Sequence, residues 1–206
     1  MQITKIAGGP LPTNCYLLKD DTTGASAVID PGFESDELTD AVKKDGSVQM
    51  ILLTHGHFDH ISGVQKLQKQ TGAKVYLYSD ETMFVRDGNL NLAGPFFGSE
   101  VPAFNVDVPL NDGDTIQLGS LEISVIHTPG HTIGGCCYVV GDAIFSGDTL
   151  MKLSFGRTDC PTGSYSQMLD SLRKLAALKG DYQVYPGHGS ITSLDYERRN
   201  NSYMGI

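Results

Sequence analysis

Near the start of the chain, apolar positions come in short bursts separated by turn formers. Ile3 to Ile6, Cys15 to Leu18 and Ala27 to Ile29 read as strands, with Gly8, Gly9 and Pro10 and then Asp20 to Gly24 between them. Ser35 or Asp36 caps a predicted helix that runs to about Lys44. Met50 to Leu53 is an unbroken apolar run, the pattern of a strand covered on both faces. Val64 to Gln70 carries a helical stripe, Val75 to Tyr78 reads as a strand, and Ser79 caps another predicted helix through about Arg86. From Asn89 to Asn105 the periodicity stops. Gly94, Pro95 and Gly98 mark a long loop there, which serves either as a lid over a site or as a plain surface connection.

A second run of strands follows: Thr115 to Leu118, Leu121 to His127, Gly135 to Val140 and Ala143 to Phe145. Asn111 to Asp114, Gly119, and Gly141 with Asp142 supply the turns. Met168 to Leu178 is a helix by its apolar face, Tyr182 to Tyr185 a strand, and Thr192 opens a final helix. Two strand runs with helices between and after them predict an α+β fold: two packed sheets covered by helices on their outer faces. At 206 residues the expectation is one domain over residues 1–206.

Composition narrows the function classes. With 15 basic and 24 acidic side chains the net charge is -9, which argues against a broad surface for nucleic acid. No apolar run approaches the roughly 18 residues of a membrane span, and Met1 to Pro10 lacks the apolar core of a signal peptide, so a cytoplasmic protein without membrane contact is expected. Cys15, Cys136, Cys137 and Cys160 have no Cys-x-x-Cys spacing and read as reduced, mostly buried thiols, with Cys136 and Cys137 on opposite faces of a strand. Cys160 beside Arg157 and Asp159 offers the alternative of a nucleophilic thiol.

The chemistry lies in the histidines. His55, His57 and His60 flank Asp59 just after the apolar run of Met50 to Leu53, while His131, Asp148 and His188 each follow a later predicted strand. All these loops can converge at one sheet edge. Imidazoles bind zinc, iron and related ions, and carboxylates supply the charge that holds two cations close together. Such a pair ionises water near neutral pH and polarises an electrophile beside it, which points to hydrolysis. The sixth histidine, His127, falls outside the pattern and reads as a buried structural or supporting residue; Asp30 reads either as a support for the site or as a turn residue, and the same caution applies to Asp142.

Thr54 to His60 together with His131, Asp148 and His188 resembles the metallo-β-lactamase superfamily over nearly the whole chain. The resemblance implies a four-layer αβ/βα sandwich with metals at one edge of the paired sheets. It implies two metal ions, zinc first, with iron or manganese as alternatives. His55, His57 and His131 would hold one ion, Asp59, His60 and His188 the other, and Asp148 would bridge them with a hydroxide nucleophile that Asp59 orients. The segments from Gly9 to Tyr16, Phe155 to Asp159 and Gly187 to Asn201 resemble small glyoxalase II-like proteins, hydrolases of 2-hydroxyacyl thioesters, so a small-molecule thioester is the expected substrate. Arg157 matches the basic position of that group's substrate pocket and would pair with a substrate carboxylate, or form a plain salt bridge. Full-length members carry a C-terminal helical region for glutathione; this chain ends at Ile206, and Ser190 stands where they place a substrate-binding tyrosine, so glutathione is not implied. β-Lactamases usually break the motif after the aspartate, and flavodiiron proteins place a carboxylate where His57 stands, so both rank lower. The alternatives are a mononuclear iron protein like the persulfide dioxygenases, which share the Gly156 to Asp159 segment, and a non-catalytic metal-binding protein.

Overall fold

The computed structural model describes residues 1–98 and 100–205. The first half forms one sheet from β1 (Gln2–Gly8), β2 (Thr13–Lys19), β3 (Ser26–Ile29), β4 (Val48–Leu52), β5 (Lys74–Tyr78) and β6 (Val108–Leu110), in that spatial order. The second half forms another from β7 (Thr115–Leu118), β8 (Leu121–His127), β9 (Cys136–Val140), β10 (Ala143–Gly147), β11 (Gln183–Pro186) and β12 (Thr192–Ser193), again in sequence order. Pairing is antiparallel except along β3 to β6 and between β10 and β11. Those parallel pairs require crossovers. Helix α1 (Asp36–Asp45) links β3 to β4, while α2 (Phe58–Ile61) and α3 (Val64–Thr71) link β4 to β5. Helix α4 (Ala93–Phe97) lies between β5 and β6, α5 (Tyr165–Ala176) links β10 to β11, and α6 (Leu194–Asn200) follows β12.

Alternating side chains sort into three apolar seams, which define four layers. Val28, Ile51, Val75 and Leu77 face Leu38 and Val42 of α1 and Val64 and Leu67 of α3. Their neighbours Ala27, Ile29, Leu52 and Tyr78 turn the other way and meet Ile123, Val125, Tyr138 and Phe145 between the sheets. On the far side Cys137, Ile144 and Val184 pack on Met168, Leu172 and Leu175 of α5 and Leu194 of α6. Strands buried on both faces explain the unbroken apolar runs. Cys136 and Cys137 do point into different seams. Ser35 caps α1 by accepting from the Leu38 N–H. Among the described residues no helix is long and apolar enough to cross a membrane.

Several expected elements differ. Ser79 to Arg86 is two short 3-10 turns, Ser79–Glu81 and Phe84–Arg86, because Glu81 and Phe84 both turn inward and the tight helix eclipses positions three apart. The segment from Asn89 to Asn105 contains α4 and is not a loop throughout; Ser99 lies outside the described residues. Thr192 belongs to β12, and the last helix starts two residues later, at Leu194, with Ser193 as its cap, accepting from the Tyr196 N–H.

Candidate metal centre

The site grows from the carboxyl ends of β3, β4, β8, β10 and β11, the edge where α/β sheets place their ligand sites. Asp30, just past β3, has a left-handed backbone (φ 50°), which aspartate tolerates. One carboxylate oxygen accepts from the Thr54 N–H at 2.8 Å. The other accepts from the Thr54 hydroxyl at 2.6 Å and faces His60 Nδ1 at 2.9 Å. The loop leaving β4 is thereby fixed before it delivers its histidines. Gly32 lets this turn lie directly on α2: a Cβ there would stand 1.4 Å from the Asp59 carbonyl oxygen.

The structure brings all seven sequence-predicted positions together. His55, His57 and His131, then His55, His60 and Asp148, then Asp59, His60 and His188 each present ligand atoms within 4.8 Å of one another. His188 Nε2 lies 3.2 Å from Asp59 Oδ2 and 3.5 Å from Asp148 Oδ2. His131 Nε2 lies 3.5 Å from Asp148 Oδ2, and His60 Nε2 is 3.6 Å from both Asp59 and Asp148. His57 Nδ1 approaches His131 Nε2 at 2.8 Å.

Four of these rings are held from behind by one nitrogen. His60 Nδ1 faces Asp30, His131 Nδ1 the Arg157 carbonyl at 2.7 Å, His188 Nδ1 the Pro12 carbonyl at 3.1 Å, and His55 Nδ1 the Thr54 hydroxyl at 3.1 Å. That arrangement selects the tautomer with a free Nε2. The Nε2 atoms of His55 and His60 and Asp148 Oδ1 are buried without a hydrogen-bond partner, as is His57 Nε2. Orphaned polar atoms are costly in a folded chain unless something absent from the polypeptide completes them. A cluster of imidazoles and carboxylates with unsatisfied buried donor atoms fits metal cations, and the residues present can hold two.

Electrostatics without a cation agree. Burial and the neighbouring rings, His60 for His55 and His131 for His57, hold His55 and His57 well below the ordinary imidazole range. Burial would also lower His60, yet Asp59, Asp148 and Asp30 outweigh it and raise its pKa to about 10. His188 is raised against the pull of burial by its bond to Asp59. Burial would raise Asp59, but His60 and His188 keep it well below the usual carboxylate range. The site is a negative nest that takes up positive charge.

Several supports escaped the sequence reading. Glu81, fully buried, accepts from the Gly56 N–H at 2.9 Å with one oxygen and from the Gly134 N–H at 2.8 Å with the other. It ties the first histidine loop to the His131 loop, and in sequence it resembles any acidic residue of a surface turn. Burial raises its pKa against those bonds. The Thr13 hydroxyl lies 3.0 Å from Asp59 Oδ2. The Asn14 side chain donates to the carbonyls of Pro186 and Gly189, and the Tyr16 hydroxyl to Pro186, so β2 grips the His188 loop across the gap between sheets. These positions stood out only as a motif, with no role readable from spacing.

Other expectations resolve as follows. His127 is half-exposed rather than buried; it stacks on Tyr78 and its Nε2 faces the Ile133 carbonyl, outside the cluster. Asp142 sits in the exposed β9–β10 turn. Cys160 lines the cleft, but burial pushes its thiol up despite Arg157, which argues against a thiolate nucleophile. Arg157 also lines the cleft, and its guanidinium donates to both oxygens of Asp159 at 2.7 and 2.9 Å. The cleft itself, about 340 Å³, opens directly onto His57, Asp59, His131, Asp148 and His188.

A family model described as the metallo-beta-lactamase superfamily matches residues 8–188. The hydroxyacylglutathione hydrolase GloC of Haemophilus influenzae is 33% identical, the match covering 93% of this chain and 92% of GloC. The crystal structure of BLEG-1, described as a B3 metallo-beta-lactamase, superposes with a TM-score of 0.93 at 32% identity, covering 98% of this chain and 99% of BLEG-1. That of TTHA1623 in a di-iron-bound form superposes with a TM-score of 0.85 at 33% identity, covering 97% and 99%. A chain described as a β-lactamase thus stands among the similar structures, beside a hydroxyacylglutathione hydrolase among the similar sequences.

Proposed function

The chain belongs to the metallo-beta-lactamase superfamily, and within it we propose that the protein is a metal-dependent hydrolase of 2-hydroxyacyl thioesters. The observation that carries this reading is the set of orphaned ring nitrogens and carboxylate oxygens converging at one open cleft. His55, His57 and His131 would hold one ion, Asp59, His60 and His188 a second, with Asp148 between them. Zinc is the first candidate; the di-iron-bound relative places iron beside it, with manganese as a further alternative. When bound, such a pair supplies a water that ionises near neutral pH and positive charge for the carbonyl oxygen.

The polypeptide does the rest. Asp59 stays ionised at the cleft and orients the attacking water by accepting its hydrogen bond. Asp30, Thr54 and the carbonyls of Arg157 and Pro12 keep four rings in one orientation, so no reorganisation is needed during attack. In the overall reaction the water oxygen bonds to the carbonyl carbon, the carbon–sulfur bond breaks, and acid and thiol leave without any redox change. GloC, by its description, acts on a hydroxyacyl thioester of glutathione, which supports this acyl class.

Elemental analysis of protein purified without added metal, followed by a panel of thioesters, a β-lactam and a thiol persulfide, tests the proposal. Expected are about two metals per chain and hydrolysis of 2-hydroxyacyl thioesters, with His57→Ala abolishing turnover while circular dichroism is unchanged. Full metal content without thioester hydrolysis overturns the substrate class. A single iron with oxygen uptake on the persulfide would make the protein an oxidoreductase.

A further inference from the structure

The wall of the cleft facing the cluster is apolar. Leu11, Leu92, Met151 and Phe155 line it, together with Cys160 and Arg157. Leu11 is 43% exposed. This wall is built, not incidental. Met151 and Ser154 close a tight turn by reciprocal backbone bonds of 3.1 Å. Within it the Leu153 N–H donates to the fully buried Glu197 at 2.8 Å, and the Asn201 side chain donates to both Glu197 and the Ser154 carbonyl. Phe155 stands edge-on to Tyr203 at 4.7 Å and near Tyr165 at 6.1 Å. Leu92 and Leu153 both adopt left-handed backbone (φ 67° and 58°), a conformation leucine keeps only where its surroundings enforce it.

Charge is the second observation. Among the described residues the lining has no lysine, and Arg157, its one guanidinium there, is held by Asp159 through two bonds. An anionic substrate arm would meet there only a guanidinium whose charge Asp159 already offsets.

The reacting end of a 2-hydroxyacyl group, its hydroxyl and carbonyl, is polar and gives such a wall nothing to bury. We infer that the wall of Leu11, Leu92, Met151 and Phe155 receives the thiol arm of the substrate, and that this arm is apolar and uncharged. The inference rests on the thioester hydrolase reading and deepens it. Burying apolar surface there supplies the binding free energy, while Asp159 keeps Arg157 from selecting carboxylates.

The test uses metal-loaded protein and two thioesters with one 2-hydroxyacyl group, carried on benzyl mercaptan or on glutathione. The benzyl thioester should show kcat/KM at least about tenfold higher. Leu11→Ser, on an exposed loop, and Phe155→Ala should each shrink that ratio about tenfold through KM, and Phe155→Leu should restore most of it. Asp159→Asn should shrink it from the other side, by releasing Arg157 to bind the glutathione carboxylates. Equal or better turnover of the glutathione thioester, or ratios unmoved by Leu11→Ser and Phe155→Ala, would overturn the inference. A preference that follows the acyl chain at constant thiol would overturn the choice of arm. Calorimetry with carbon analogues, methylene in place of sulfur, separates the two readings. Tight binding of the benzyl analogue without hydrolysis of any thioester would sink the hydrolase reading and keep the apolar wall; hydrolysis without that binding preference would do the reverse.

Discussion

A methyl group on Gly187 would stand 2.3 Å from Asp148 Oδ1 and 2.7 Å from the His60 ring. Nothing flexible lies there to yield, so Gly187→Ala should lower metal affinity by about 10 to 100-fold with the far-ultraviolet spectrum intact; titration against a chelator reads the effect. Asp30→Ala strands the Thr54 N–H, the Thr54 hydroxyl and the His60 ring N–H in the interior. Each stranded donor costs about 1–3 kcal/mol, so this change should lower both metal affinity and Tm, where Gly187→Ala lowers chiefly the first. Acidity works on the same atoms. His60 and His188 hold protons more tightly than free imidazole, so metal competes with protons and its apparent affinity should fall as pH drops below about 10, followed by equilibrium dialysis. In the stripped protein the sign reverses. A raised pKa stabilises fully below the unfolded value of about 6.5 and is lost as pH climbs, so stripped protein should lose Tm as pH rises towards 10. The histidines were legible because their types and spacing announce ligands. Glu81 was not, since a single carboxylate carries its meaning only through the two N–H groups it meets, on loops far apart in sequence.

Strands and helices were legible to the extent that one periodicity ran through them. The runs in β2, β4 and β9 and the stripe of α5 survive because each faces apolar seams along its length. The one-turn helix α2 did not show, as four residues are too few for a pattern: Asp59 and His60 serve the cluster while Phe58 and Ile61 turn into the core. Strand β6 is three residues long with Pro109 in its middle, too short for a pattern. The Asp20 turn lies where the turn formers placed it, between β2 and β3, but its long-range role was not legible. Expected only as a break between strands, Asp20 joins the β2–β3 turn to the β7–β8 turn: it accepts from the Thr23 hydroxyl at 2.6 Å, the Ser120 N–H at 2.7 Å and the Thr22 N–H at 2.9 Å. Those bonds, Thr23 first, hold its carboxyl well below the usual range. A depressed pKa stabilises above the unfolded value of about 4 and fades as pH falls through it. Asp20→Asn should therefore lower Tm at neutral pH and flatten its decline towards acid, seen by calorimetry, while metal content stays unchanged.

At the scale of the molecule, the ligand set is divided between the halves: His55, His57, Asp59 and His60 come from the first sheet's loops, His131, Asp148 and His188 from the second's. Cations seated there would tie one sheet to the other as well as serve the chemistry. Metal removal should then lower the Tm of the whole chain in a single transition, since ligand at a hundred times its Kd adds about 2.7 kcal/mol; calorimetry with and without chelator measures it. The sandwich itself was readable from two strand runs with helices around them, but the way β2 reaches over to hold the His188 loop was not, because it joins residues from opposite ends of the sequence. Each sheet is drawn from one uninterrupted stretch of chain. During synthesis the first sheet can therefore collapse on its helices while the second is still being made, holding four ligands and no finished cage. Only once residue 188 has left the ribosome can the cage close, so every product truncated before His188 lacks the complete ligand set.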